Sequence, residues 1–360
     1  MKRQRGLFIL DHEARQLIYG PDEMRAIGER VELVAPPQTR ASVQENLELL
    51  EPVDLIFSGW GAPVLDVRFL DAAPHLKVFF YGSGTVGHVT TDAVWDRGVA
   101  VTTAIQANSR AVAEYSLSTI LFCLKHGWRL ARETRERRTF VDRNAAPGCY
   151  GSTVGVVSLG AIARILLKLL KPFDLKIVAY DPYVSAADAA AMGVELVSLD
   201  EMFRTCDVAS VHTPLSAETQ GLITGVHLAS MKRGATFINT ARGQIVRQEE
   251  LIAVAVNRPD MQFVLDVAEP EPPPPDCPLY TLDNVMLTPH IAGSTGNECR
   301  RMGRYMVEEL ERYVSGQPLR WAVAPAATAV SSRRPPSHRF DRVTLGPAVA
   351  RSTDAAALLP

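Results

Sequence analysis

Strand-length apolar runs alternate with helix-length polar stretches through most of this chain, and a long helical segment near residue 120 interrupts the alternation once. In the first hundred residues the runs fall at 7–10, 31–34, 53–57, 76–80 and 99–102. From Thr153 the pattern restarts at 154–157, 176–180, 208–211, 235–239, 262–267 and 285–287, with helices expected at 161–171, near 185–192 and at 247–257. Apolar strands separated by helices are buried on both faces, which is the signature of a parallel sheet. The expected fold is therefore α/β, built from two doubly wound parallel-sheet units. Between them, Asn108 to about Arg137 opens on cap-type Asn108 and Ser109 and carries Val112, Tyr115, Ile120, Leu124 and Trp128 at near-helical spacing. One helix that long can bridge two domains. A second helix is expected at 295–314, started by a Thr295/Glu298 capping box and ended at Gly316, with Met302, Met306, Leu310 and Val314 on one face. It should cross back to the first unit.

At 360 residues the chain has room for about two domains. Apolar residues make up 47% and charged residues 22%, with a net charge of -2, so no global charge points to nucleic acid or to a membrane surface. The expected partner is a small molecule. The basic stretch Met1 to Gly6 leads into only four apolar residues, too short for a signal-peptide core or a span, which reads as cytoplasmic. Five scattered cysteines (Cys123, Cys149, Cys206, Cys277, Cys299) form no C-x-x-C pair, so neither disulfides nor a metal site is expected. They read as small buried apolar residues. Six prolines in 270–278 require a stiff loop, on the surface or over a cleft. Beyond Trp321 apolar periodicity stops, and 326–360 reads as a disordered tail.

Gly155-Val-Val-Ser158-Leu-Gly160-Ala-Ile-Ala163 follows an expected strand and opens an expected helix. In that context backbone N–H groups and the helix dipole can meet a pyrophosphate. The fingerprint is degenerate: Ser158 and Ala163 stand in for the first and third glycines, while Gly160 keeps the position of closest approach. The next strand ends in Asp181, 21 residues after Gly160, where a carboxylate would accept from an adenine-ribose 2′-hydroxyl and repel a 2′-phosphate. NAD is therefore expected over NADP, although Asp181 also suits a simple cap of the turn before Pro182.

Arg242, His290 and Glu271 each follow an expected strand of the second unit, and those residue types together suit reduction of a 2-keto acid, which requires a cation for the carboxylate, a proton donor for the carbonyl oxygen, and a group that keeps the donor charged. Arg242, just past a strand end, fits the first role because a guanidinium clamps a carboxylate with two parallel bonds. His290, set by Pro289 after the last strand, fits the second, since histidine titrates near neutral pH. Glu271 fits the third: a carboxylate beside imidazolium raises its pKa and fixes its orientation.

From about Leu76 to Trp321 the chain resembles the D-isomer-specific 2-hydroxyacid dehydrogenase family. The likeness is carried by Ala107-Asn-Ser-Arg-Ala-Val-Ala-Glu114, Val211-His-Thr-Pro-Leu215, Met231-Lys-Arg-Gly234, Ile238-Asn-Thr-Ala-Arg-Gly243, Leu265-Asp-Val267 with Glu271-Pro272, and Leu287-Thr-Pro-His-Ile-Ala-Gly293. The resemblance implies a Rossmann NAD domain (109–295) inserted into a flavodoxin-like, discontinuous substrate domain (1–108 plus 296–325), with the active site in the cleft between them. It implies Arg242, Glu271 and His290 as the catalytic trio. As cofactor contacts it implies Ser158, Gly160, Ala161, Ile162, Asp181, His212, Thr213, Pro214, Thr240, Ala241, Asp266, Ala292 and Gly293, and it implies a homodimer formed through the NAD domains.

One departure stands out. The family's substrate loop usually reads Gly-x-Gly-x-Asp-Asn, whereas Gly82-Ser83-Gly84 here continues Thr85-Val86-Gly87-His88. Backbone N–H groups of Ser83 and Gly84 remain candidates for the substrate carboxylate, with an ordinary tight turn as the alternative, and Trp60 and Tyr81 are aromatics placed either where substrates would pass or in packing. No regulatory domain follows residue 321, so the resemblance is nearer to stand-alone hydroxypyruvate, glyoxylate or other keto-acid reductases than to the feedback-controlled phosphoglycerate enzymes. A formate-type oxidation would pair the histidine with Gln rather than Glu. The altered turn at Ser158 and the basic tail motivate a second class of reading, a non-catalytic NAD(H)-sensing, corepressor-like protein. The complete trio weighs against it.

Overall fold

The first sheet of the computed structural model, which describes residues 3–324, has five strands: β1 (Gln4–Ile9), β2 (Val31–Leu33), β3 (Leu55–Ser58), β4 (Val78–Tyr81) and β5 (Ala100–Thr103). Their order is β2-β1-β3-β4-β5, all parallel. Seven strands form the second sheet: β6 (Thr153–Val157), β7 (Lys176–Tyr180), β8 (Glu195–Leu196), β9 (Val208–Val211), β10 (Thr236–Asn239), β11 (Gln262–Leu265) and β12 (Val285–Leu287). These run β12-β11-β10-β9-β6-β7-β8, again all parallel. The first order is the flavodoxin-like one; the second is a Rossmann order carrying one additional strand, and it reverses between β6 and β9. The α/β, doubly wound expectation is borne out for both sheets.

Alternating side chains explain why both faces are covered. Leu7, Ile9, Ile56 and Phe79 pack on one face of the first sheet and Phe8, Leu10, Phe57 and Phe80 on the other, with Phe57 and Phe80 stacked at 5.0 Å. The second sheet divides likewise into a cluster around Phe203, Phe237 and Phe263 and one around Val154, Val156, Leu166 and Ile238.

The bridging segment differs from the expected single helix. One helix runs Ile105–Cys123 and a second Gly127–Arg137, separated at His126, whose φ of 51° is left-handed and ends the i→i−4 ladder. The start lies three residues before Asn108, and the Asn108 side chain does not cap it: Asn108 Oδ1 accepts from Ser294 N at 2.8 Å. Apolar periodicity could not separate a helical Asn from one reaching across the chain. β8 escaped notice because Glu195 and Leu196 are too few to form an apolar run.

The returning helix begins with a 3-10 turn (Gly296–Glu298) inside the Thr295/Glu298 capping box and continues as Cys299–Val314. Met302, Met306, Val307 and Leu310 are buried in the cluster that contains Phe8 and Ile18, so this helix belongs to the first sheet. Gly303 allows that approach, because a Cβ there would lie 2.0 Å from the Ile18 carbonyl oxygen. Buried Glu309 then accepts from Arg320 N and Trp321 N, each at 3.0 Å, and Val323 N donates to Val101 O beside β5. The expected tail, 326–360, lies outside the described residues.

Candidate active site

Register places the site. Val157, Val211, Asn239, Leu265 and Leu287 are aligned across β6, β9, β10, β11 and β12, so the loops after them leave one carboxyl edge. Open α/β sheets bind ligands at that edge, at the point where the strand order reverses. Those five loops carry Ser158 and Gly160, His212 to Pro214, Thr240 to Arg242, Asp266 with Glu271, and His290 to Gly293.

The acid–histidine pair is formed. His290 Nδ1 lies 2.6 Å from Glu271 Oε1, with both side chains 40% exposed. A carboxylate on Nδ1 fixes the ring as the Nδ1–H donor and leaves Nε2 for chemistry. His290 takes a left-handed φ of 55°, held by the residues around it. Buried Asp266 does most of that holding: it accepts from Ile291 N (2.8 Å), Ala292 N (2.8 Å) and Thr288 Oγ1 (2.6 Å). Tyr115, on the bridging helix, hydrogen-bonds the same Thr288 hydroxyl at 3.1 Å. Thr288, Tyr115 and Asn108 lie outside the expected site residues. Thr288, within the Thr-Pro-His triplet, and Asn108, within Ala107–Glu114, carry a local sequence signal, whereas Tyr115 does not.

Arg242 is half-buried and sits at the mouth of a 3-10 turn, Gly243–Ile245. Asn239 builds the support: its Oδ1 accepts from Ala241 N and its Nδ2 donates to Arg242 O, both at 3.0 Å. Gly243 is required here, since a Cβ would meet the Ala268 carbonyl at 2.1 Å. Arg242 and the loop that leads to Glu271 are thereby packed backbone to backbone.

A dinucleotide fits the remaining residues. Gly160 caps the helix Ala161–Leu170 and faces open space, a Cβ meeting nothing within 4 Å, and the first-turn amides at 161 and 162 have no helical partner. Thr240 Oγ1 and His212 Nδ1 are buried with no hydrogen-bond partner, an arrangement that polar groups of a bound cofactor would relieve. Burial also pushes the His212 imidazole down to about 4, so it is neutral at working pH. Ser158 adopts the left-handed φ of 74° that a glycine would ordinarily supply. Asp181 already accepts from Leu159 N (2.7 Å), Tyr183 N (2.8 Å) and Val184 N (3.2 Å), so it braces the cofactor turn and caps its own.

At the carboxyl edge of the first sheet the loop expected to meet substrate is anchored rather than free. Thr103 Oγ1 and Ala104 N both donate to Ser83 O at 2.9 Å. Ser83 N is turned to Tyr81 O at 2.8 Å, which leaves Gly84, in open space, as the better-placed amide. Tyr81 is buried and packs on Phe79; its hydroxyl, pushed up to about 12 by burial, meets His88 Nε2 at 3.3 Å. It does not face a passage, whereas Trp60 is exposed. Cys123, Cys206, Cys277 and Cys299 are buried, with the Cys123 and Cys206 thiols pushed up to about 12, which suits packing.

Comparison with known proteins places this geometry in a class. Residues 117–292 match the NAD binding domain of the D-isomer specific 2-hydroxyacid dehydrogenases. The chain is 30% identical over 305 residues to a hydroxypyruvate reductase of Thermotoga maritima, taking in 84% of this chain and 94% of that one. It is 33% identical over 259 residues to a D-3-phosphoglycerate dehydrogenase of Archaeoglobus fulgidus, covering 72% of this chain and 49% of the relative. The chain thus spans about half the length of the phosphoglycerate dehydrogenases it matches. Among solved structures, the D-mandelate dehydrogenase of Rhodotorula graminis superposes with a TM-score of 0.72 at 26% identity, over 89% of this chain and 98% of that one. The chain belongs to the D-isomer specific 2-hydroxyacid dehydrogenase family and carries its NAD-binding domain. No helix among the described residues is long and apolar enough to cross a membrane.

Proposed function

We propose that the chain is an NAD(H)-dependent oxidoreductase that interconverts a small 2-keto acid and the D-2-hydroxy acid, in the manner of hydroxypyruvate and glyoxylate reductases. The observation that carries the reading is the His290–Glu271 pair at 2.6 Å on the same sheet edge as Arg242. In the reductive direction Arg242 holds the substrate carboxylate, with help from the amide of Gly84. Bound NADH supplies the hydride to C2. His290 gives the Nε2 proton to the carbonyl oxygen, which becomes the hydroxyl, and the Glu271 carboxylate stays on Nδ1 to hold the ring and stabilise the imidazolium.

The two sheets support a division into a substrate domain (1–108 plus 296–325) and an inserted NAD domain (109–295), with substrate entering between the two carboxyl edges. Phe122, Trp128, Phe140 and Tyr150 are large exposed apolar residues within one stretch of the chain, which supports a homodimer formed through the NAD domain. Unpaired thiols and an NAD-linked reaction suit the cytoplasm.

The test is NADH oxidation by the full chain against glyoxylate, hydroxypyruvate, pyruvate and phenylpyruvate. Turnover on at least one acid is expected, falling about 100-fold or more in His290→Ala with NADH binding retained. Tight NADH binding without turnover on any 2-keto acid would favour the sensing protein instead.

A further inference from the structure

Glu271 and His290 are 40% exposed, so burial does not hold their 2.6 Å contact against competing water. Something must fix the backbone that carries the acid. The loop leaves β11 through buried Ala268, and Glu269 is gripped from both sides by one side chain: Glu269 N donates to Gln248 Oε1 at 2.8 Å, and Gln248 Nε2 donates to Glu269 O at 2.5 Å. A primary amide carries a donor and an acceptor side by side and can bracket both polar groups of a single residue. Four residues further on, Tyr280 Oη donates to Pro273 O at 3.2 Å, so Glu271 is suspended between two tethers.

Gln248 is the first residue of the helix Gln248–Asn257, only six residues after Arg242. The segment between them includes Gly243, whose backbone abuts Ala268. One short stretch of chain therefore sets the carboxylate clamp and the acid loop together.

We infer that Gln248 is a positioning residue for the acid–histidine pair, acting by holding Glu269 so that Glu271 Oε1 stays on His290 Nδ1. The inference rests on the proposed function only for its kinetic consequence; the geometric claim can be read without turnover.

The experiment uses the full chain labelled with ¹⁵N-histidine, with the His290 ring signals assigned by His290→Ala. A hydrogen-bonded Nδ1–H signal is expected in the wild type and should be lost in Glu271→Gln. Gln248→Ala should broaden or shift it toward the Glu271→Gln position. Gln248→Glu, which still accepts from Glu269 N but cannot donate to Glu269 O, should fall between them. In the kinetic arm Gln248→Ala should lower kcat by about tenfold and raise the solvent deuterium isotope effect, with NADH affinity and Tm unchanged. An Nδ1–H signal identical to wild type in Gln248→Ala overturns the inference, as does a kcat loss that only tracks lost NADH affinity and Tm. If no keto acid is turned over while the ring signal still follows Gln248, the proposed function fails and the positioning role stands.

Discussion

At the scale of single residues, burial separates the two histidines of the candidate site. His290 is exposed on an acid; His212 is fully enclosed, with Ser210 Oγ 3.0 Å from Nε2 and no partner on Nδ1. Enclosure lowers the His212 imidazole from 6.5 to about 4. Between those values the unfolded chain binds a proton that the folded one does not, so stability falls as pH drops from 6.5 toward 4 and is fully present above 6.5. Acidification through both values costs the folded state about 3 kcal/mol relative to neutral pH, where the imidazole is neutral in both states. Urea unfolding at pH 7.0 and 4.5 should therefore show wild type losing more stability than His212→Gln on acidification. An equal pH dependence in the two proteins would contradict the neutral, buried imidazole. The Val211-His-Thr-Pro-Leu215 segment carries the family resemblance in sequence but does not show its own burial, because that depends on what packs from other strands. Ser158 tells the same story: the strand–turn–helix context was readable, whereas its left-handed φ of 74° is fixed by the backbone around it.

Elements were read well where packing is local and less well where it is not. β7, β9 and β12 fall on the expected residues, because an apolar run flanked by turns leaves a parallel strand little choice. The bridging segment carries a single helical period, since Leu124 and Trp128 continue it, yet His126 turns the chain and hydrogen-bonds Gly234 O at 3.1 Å, a contact 108 residues away. Likewise the expected trio of Arg242, Glu271 and His290 rests on residue type and order, while Gln248 and Tyr115 reach the loops of Glu271 and His290 through tertiary contacts that leave no mark in the local sequence. The returning helix supplies the energetic test at this scale. Leu310 is 0% exposed among Phe8, Ile18 and Met306, so Leu310→Ala should cost about 2–5 kcal/mol, read as a lower denaturant midpoint. A loss near zero would mean that the helix does not complete the first sheet's core.

For the molecule as a whole, the proposed function has two sheets of different strand order present their carboxyl edges to one reaction. The bridging helix links them: Asn108 holds Ser294 N in the loop after His290, Tyr115 reaches Thr288, and Thr103 and Ala104, just before the helix, hold Ser83. The Ser83 loop and the histidine loop are therefore both held by the stretch from Thr103 to Tyr115. On the proposed function Arg242 fixes the carboxylate and His290 the carbonyl oxygen, so hydride would reach only one face of C2 and a single enantiomer, the D-hydroxy acid, is expected. The most direct measurement is the configuration of the 2-hydroxy acid formed from the preferred keto acid and NADH, resolved by chiral chromatography. The D acid alone is predicted. An L or racemic product would contradict the assignment of Arg242, Glu271 and His290 as the site of reaction.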